Sequence, residues 1–237
     1  MDQPIKALLF DVFGTVVDWR GSIIREGEAF GRANGVSGVD WTAFADAWRG
    51  LYQPTMQKVR SGELPWKSLD ELHRMSLDQL LAERGVAKIP EESLDHFNRA
   101  WHRLDPWPDC VAGLTRMKRK YILASCSNGN VSLMVNLAKY GGLPWDAILG
   151  AELARHYKPD FEVYKMSVAL LGLKPEECVM VAAHNRDLEA ASACGLRCAF
   201  VERPHEFGQR NKPDVVSTRE WDFTTKDFAE LARRLEC

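Results

Sequence analysis

The sequence predicts an α/β protein, a mostly parallel sheet with helices on both faces and a helical domain inserted after its first strand. Two observations carry that prediction. Short apolar runs recur along the chain with helical patterns between most of them. The stretch from about Gly21 to Trp101 breaks this alternation, with several amphipathic helical patterns and no convincing strand. At 237 residues the chain can hold one large α/β domain, or a core with a smaller insertion.

The first element is the run Lys6-Ala7-Leu8-Leu9-Phe10, which reads as a buried strand and ends at Asp11, with Gly14-Thr15 turning the chain just beyond. Amphipathic helices are expected over Trp41 to Tyr52 and Leu69 to Glu83, with Gly62 and Pro65 punctuating the stretch between them. Asp105-Pro106-Trp107-Pro108 marks the return from the insertion, since a chain with successive prolines cannot continue a helix. Further strands are expected at Tyr121 to Ala124, Ala147 to Leu149, Cys178 to Ala182 and Arg197 to Val201. Together these runs give a Rossmann-like core of residues 1–16 and 105–237 and a helical insertion of 17–104.

Composition narrows the partners. The 46% apolar and 27% charged residues are those of a soluble globular chain, and a formal net charge of −2 spread along the sequence offers no footprint for a nucleic-acid backbone. No stretch reaches the ~20 apolar residues of a membrane span, and no secretory leader pattern opens the chain, so a cytoplasmic location is expected. The six cysteines lack paired CxxC spacing, which argues for reduced thiols over a disulfide framework or a zinc site. Cys194 and Cys198 form the one close pair, with no second pair of ligands nearby.

In open α/β sheets ligands gather beyond the carboxyl ends of the strands. Four polar groups follow predicted strands in order: Asp11 with Thr15, Ser127-Asn128, Lys158-Pro159, and Asp187. Each has a plain structural reading by itself, as a turn residue, a helix cap, a solvated cation or a carboxylate near a helix N-terminus. The ordered set resembles the four motifs of the haloacid dehalogenase superfamily across essentially the whole core, and the insertion resembles that family's cap domain.

Within that superfamily, the phosphatases resemble one another in carrying a second Asp two positions after the nucleophile, as general acid/base. Here that position is Phe13. A halide leaving group needs no proton, so the resemblance is to the type II (S)-2-haloacid dehalogenases. Tyr157-Lys158-Pro159 with Tyr164, Ser127-Asn128-Gly129 and Trp48-Arg49 are similar to that branch's corresponding segments.

The resemblance and the chemistry imply roles. Asp11 is the nucleophile, Lys158 keeps it ionised, and Thr15 hydrogen-bonds it. Ser127 and neighbouring backbone N–H groups hold the substrate carboxylate, while Arg49 and Asn128 receive the halide. Tyr164 and Asn185 are further candidates for substrate binding. Arg49 has the alternative reading of a helix-surface cation, and Tyr164 that of a core aromatic. No cofactor or metal is called for, the partner is a small haloacid, and the resemblance suggests a homodimer.

The last motif departs from the family pattern. Where the family reads Ser-Ser-Asn-x-x-Asp, this chain reads Ala182-Ala183-His184-Asn185-Arg186-Asp187. Asp187 is kept as the candidate to position or activate water. His184 either caps the next helix and satisfies a buried group, or orients or deprotonates that water. Two rival functions stay open at this point: a Mg²⁺-dependent phosphatase of the same superfamily, against which Phe13 stands, and a catalytically silent binding protein.

Overall fold

A computed structural model of the chain describes residues 4–208 and 216–237. Its strands, in chain order, are β1 (Ala7–Phe10), β2 (Val17–Asp18), β3 (Asp105–Pro106), β4 (Ile122–Ser127), β5 (Ala147–Gly150), β6 (Cys178–Ala182), β7 (Arg197–Val201) and β8 (Phe223–Thr225). Six of them form one parallel sheet in the order β5-β4-β1-β6-β7-β8. From β1 the chain builds outward through β4 and β5, then returns to the other side of β1 for β6 to β8. The connections therefore diverge at the carboxyl end of β1, where a crevice opens. Asp11 is the first residue past that end, and its N–H donates to Val181 O at 3.0 Å.

The strands read as near-continuous apolar runs because both faces of the sheet are covered. Leu8 and Phe10 pack on one side with Leu123, Val179 and Val181, beneath helices α6 (Cys110–Met117), α7 (Val131–Gly141) and α11 (Phe228–Arg234). Ala7 and Leu9 point to the other side with Ala124, Cys126 and Met180, against α9 (Phe161–Leu170) and α10 (Asn185–Ala193). The four-residue α8 (Ala151–Ala154) follows β5 directly.

Between β2 and β3 lie only helices: α1 (Trp19–Ala33), α2 (Trp41–Gly50), α3 (Tyr52–Arg60), α4 (Leu69–Glu83), α5 (Glu91–Asn98) and a 3-10 turn at Arg99–His102. The antiparallel pairing of Val17 with Pro106 and Asp18 with Asp105 gathers the two connecting strands at one place. α4 has the predicted bounds, and Ser68 and Glu71 close its first turn as a capping box. At its N-terminus Asp70 exchanges hydrogen bonds with Asn130, whose Oδ1 accepts the Asp70 N–H at 3.2 Å while its Nδ2 donates to Asp70 Oδ2 at 2.8 Å. That reciprocal pair ties the insertion to the start of α7.

The structure departs from the expected elements at several points, one of them β4, which was expected at Tyr121 to Ala124 and runs from Ile122 to Ser127. The helix expected over Trp41 to Tyr52 ends at Gly50, and a new one begins at Tyr52. The reason is Pro54: in one continuous helix its ring would meet the Gly50 carbonyl, whereas in the first turn of α3 its missing N–H costs nothing. The edge strand β8, only three residues long, was not anticipated at all.

Candidate active site

Asp11 is buried at the crevice floor, and its two carboxylate oxygens are treated differently. Oδ1 accepts Lys158 Nζ at 2.9 Å. Oδ2 accepts Thr15 Oγ1 at 2.7 Å and has His184 Nδ1 at 3.1 Å. Thr15 is fixed in turn by the Ala183 N–H, which donates to its hydroxyl at 2.9 Å. Burial by itself would raise the Asp11 carboxyl, but the charges and hydrogen bonds of Lys158 and His184 outweigh it and hold the group well below the usual carboxylate range.

Lys158 reaches this point from the loop ahead of α9. Its backbone N–H donates to Asn128 Oδ1 at 2.7 Å, and Arg60 at the end of α3 donates to the carbonyls of Tyr157 and Lys158. The ammonium bridges Asp11 to Asp187, whose Oδ2 lies at 2.5 Å, and Tyr164 Oη donates to the other Asp187 oxygen at 2.5 Å. Burial opposes the Lys158 charge, yet Asp11 and Asp187 together raise its pKa far above that of a free lysine. The Asp187 carboxyl is raised by burial and by Asp11, against the pull of Lys158.

On the other side His184 spans two acids, with Nε2 at 2.9 Å from Glu206 Oε2. Burial would lower its pKa, but Glu206 and Asp11 raise it well above the ordinary 6.5. Although His184 occupies the position before α10, its side chain makes no capping bond.

Above this floor opens a cavity of about 350 Å³, lined by Asp11, Lys158, Asp187, His184, Asn128 and Arg186 from the core, and by Arg49, Gly50, Tyr52 and Gln53 from the insertion. The Arg49 guanidinium lies 4.0 Å over the Tyr52 ring and 5.4 Å from that of Trp19, and its buried Nη1 has no acceptor among the described residues. Phe13, 2% exposed, lines the cavity edge-on to Tyr52 and Trp101. A second cavity of about 550 Å³, beside Trp66 and Arg155, includes neither Asp11 nor Lys158.

A model of the haloacid dehalogenase-like hydrolase family matches residues 5–195. The chain belongs to that family. Among solved structures it is similar to the L-2-haloacid dehalogenase PA0810, with 46% identity, a TM-score of 0.94 and coverage of 98% of this chain and 99% of that one. It is likewise similar to the defluorinating L-2-haloacid dehalogenase Rha0230, at 45% identity and TM-score 0.95, covering 98% and 96% of the two chains. (S)-2-haloacid dehalogenase 4A of Burkholderia cepacia is 26% identical over 219 residues, 90% of this chain and 88% of its own. The fold is accordingly that of a haloacid dehalogenase-like hydrolase, an α/β sheet with a helical cap.

Within this haloacid dehalogenase-like site, the structure brings together Asp11, Thr15, Lys158, His184 and Asp187 as one hydrogen-bonded group, with Arg49 and Asn128 on the cavity wall. Three candidates for substrate binding stand elsewhere. Tyr164 is fully buried behind Asp187 and is not on the wall. Ser127 is also fully buried, its hydroxyl accepting the Gly129 N–H at 3.2 Å. Asn185 turns away, donating to Val216 O at 2.8 Å and accepting the Thr218 N–H at 3.1 Å, because the chain after β7 offers its amide both a donor and an acceptor. Sequence reasoning passed over Glu206, Tyr52 and Arg186. Tyr52 stands three positions after Arg49 on the next helix, a spacing that could have suggested the pair. Glu206 has no such signal.

Proposed function

We propose that this chain is a hydrolytic dehalogenase that converts a short 2-haloalkanoic acid to the 2-hydroxy acid through an ester on Asp11, acting on haloacetates and on 2-haloacids of the S hand. The observation that carries the reading is an ionised, buried Asp11 locked to Lys158, with the apolar Phe13 where a phosphatase of this family would need a proton-donating carboxylate. The similarity to two L-2-haloacid dehalogenases at 46% and 45% identity supports it.

In the first half-reaction Asp11 attacks the halogen-bearing carbon. Oδ1 accepts one hydrogen bond and Oδ2 accepts up to two, so Oδ1 has the lone pair to spare. Arg49 and Asn128 receive the departing halide, and the main chain at Asn128, the residue after β4 that lines the cavity, takes the substrate carboxylate. In the second half-reaction water attacks the ester carbonyl with Asp187 beside it, regenerating Asp11. Tyr164 serves by holding Asp187, and Asn185 by holding the loop at Val216 to Thr218.

The same reading places the cap at residues 17–104 over a core of 1–16 and 105–237, with the β2–β3 pair as its hinge. It sets the protein in the cytoplasm, which suits six unpaired cysteines, and makes it a homodimer, a state that rests on the family resemblance and is read by light scattering. No helix among the described residues is long and apolar enough to cross a membrane.

The test is a halide-release screen over fluoro-, chloro- and bromoacids of both hands without added metal, beside p-nitrophenyl phosphate with Mg²⁺ and with Asp11→Asn as control. Halide release by the wild type and none by Asp11→Asn is expected, and a single turnover in ¹⁸O-water should label the Asp11 carboxylate. Release of phosphate alone would reverse the assignment.

A further inference from the structure

Glu206 stands in the chain that follows β7, is 0% exposed, and has the side chain of His184 against it. Its Oε1 accepts Trp19 Nε1 at 3.0 Å, while Oε2 is 2.9 Å from His184 Nε2. Room for this carboxylate is made at the nucleophile loop itself. A Cβ on Gly14, which has φ +89°, would stand 2.2 Å from Glu206 Oε1, so a side chain there is barred by both space and backbone conformation.

His184 thus has a carboxylate oxygen at each ring nitrogen, 3.1 Å to Asp11 and 2.9 Å to Glu206. A neutral imidazole carries one N–H and one lone pair, so it would set that lone pair against a carboxylate. Only the imidazolium donates to both. Once Oδ1 of Asp11 is alkylated, Oδ2 becomes the carbonyl oxygen of the ester, and the groups already aimed at it are Thr15 Oγ1 and His184 Nδ1.

Resting on the dehalogenase reading above, we infer that His184 is the charged oxyanion donor for hydrolysis of the Asp11 ester, and that Glu206 is the positioning residue that keeps it protonated. The water oxygen attacks Cγ of Asp11 and the carbonyl electron pair moves onto Oδ2, where Thr15 and His184 donate, while one water proton passes to Asp187. Collapse returns the pair to Cγ and breaks the Cγ–Oδ1 bond. Oδ1 leaves as the hydroxyl oxygen of the product with the proton from Asp187, and the second water proton goes to solvent as Asp11 re-ionises. His184 keeps both of its protons throughout and acts as no base.

Glu206 matters most in the middle of the cycle. Esterification removes the Asp11 charge, leaving Glu206 as the carboxylate bonded to His184. Among the described residues, the other charged or titratable groups lining this cavity are Lys158 and Asp187 on the floor, Arg186 beside His184, and Arg49 and Tyr52 across it.

Rapid-quench halide release and intact-protein mass, followed from acid to alkaline pH, test this in wild type, Glu206→Gln and His184→Asn. Glu206→Gln should release one equivalent of halide per site at near wild-type speed and then stall as the ester, with hydrolysis slowed roughly 100-fold. Its ester hydrolysis should fall further as pH rises through a value below the ordinary histidine 6.5, since burial is then unopposed, while the wild type holds its rate to higher pH. His184→Asn, a neutral donor, should be slow with no such titration.

Ester hydrolysis in Glu206→Gln at the wild-type rate and pH profile would overturn the inference. So would hydrolysis that accelerates as His184 loses its proton, the mark of a base. Absence of any halide release by the wild type would instead strike the dehalogenase reading itself.

Discussion

Asp11 is held between two cations whose settings nearly mirror each other. On one flank Lys158 bridges it to Asp187, which Tyr164 anchors, and on the other His184 bridges it to Glu206, which Trp19 anchors. Each far carboxylate is buried and fixed by a donor on an aromatic ring. The difference lies in titration. The Lys158 ammonium, raised by its two acids against burial, stays charged at any working pH, whereas the imidazolium persists only while an anion faces it. One flank is a permanent counter-charge that keeps Asp11 ionised. The other is a donor whose charge Glu206 sustains once the charge of Asp11 is gone, which suits it to the second half of a two-step reaction.

Removing the permanent flank should have the largest effect. In Lys158→Met, Asp11 and Asp187 face each other without a cation, and breaking such a buried pair costs about 3–5 kcal/mol of stability. Single-turnover halide release should fall by roughly 1,000-fold, in line with the ~4 kcal/mol that a close ion pair is worth at intermediate dielectric. Thermal unfolding and rapid-quench measurements read the two effects separately, and a normal halide burst from the folded variant would erase the proposed division of labour.

Arg49→Lys sharpens the comparison from the cap side. A lysine keeps the charge but loses the planar stack on Tyr52, so the first half-reaction should slow by about 10- to 100-fold while ester hydrolysis is untouched.

The histidine flank should show itself in stability against pH. The folded pKa of His184 lies above its ordinary 6.5, so its stabilisation is fully present below that value and is lost as pH rises through the folded pKa. Asp11 runs the other way, its contribution present above 3.8 and lost as pH falls towards its depressed folded value. The stability gap between wild type and His184→Asn, roughly 1–2 kcal/mol, should therefore be widest in the window just below pH 6.5 and narrow on the alkaline side. A gap that widens with rising pH would contradict the imidazolium.

Tyr164→Phe should be the mildest change, costing about 1 kcal/mol and slowing ester hydrolysis up to about tenfold, since Asp187 keeps Lys158 after losing the phenol. Burst kinetics with a normal first turnover would place that loss on the water step.

The Lys158 flank was far more legible in the sequence than the His184 flank. Asp11 and Lys158 each follow or approach a recognisable strand-end pattern, and their side chains meet although 147 positions separate them. Arg49 was visible as a cap residue, and its stack on Tyr52 spans the junction of α2 and α3, a stretch expected from the sequence as one helix. His184 and Asn185 are neighbours at the start of α10, and local pattern could not say which would face Asp11. The hydrogen bonds of Asn185 to Val216 and Thr218 decided that.

What the sequence determined by itself was the parallel sheet, the helical insertion and the place of Asp11, because strands buried on both faces leave apolar runs and the crevice of such a sheet must open where those runs end. What only the tertiary structure decided was the second flank. Glu206 lies 22 positions from His184 and 187 from Trp19, and it meets both where a glycine at position 14 leaves room for its carboxylate. Such a meeting is a matter of loop closure and of one missing Cβ, and neither leaves a periodic trace along the chain.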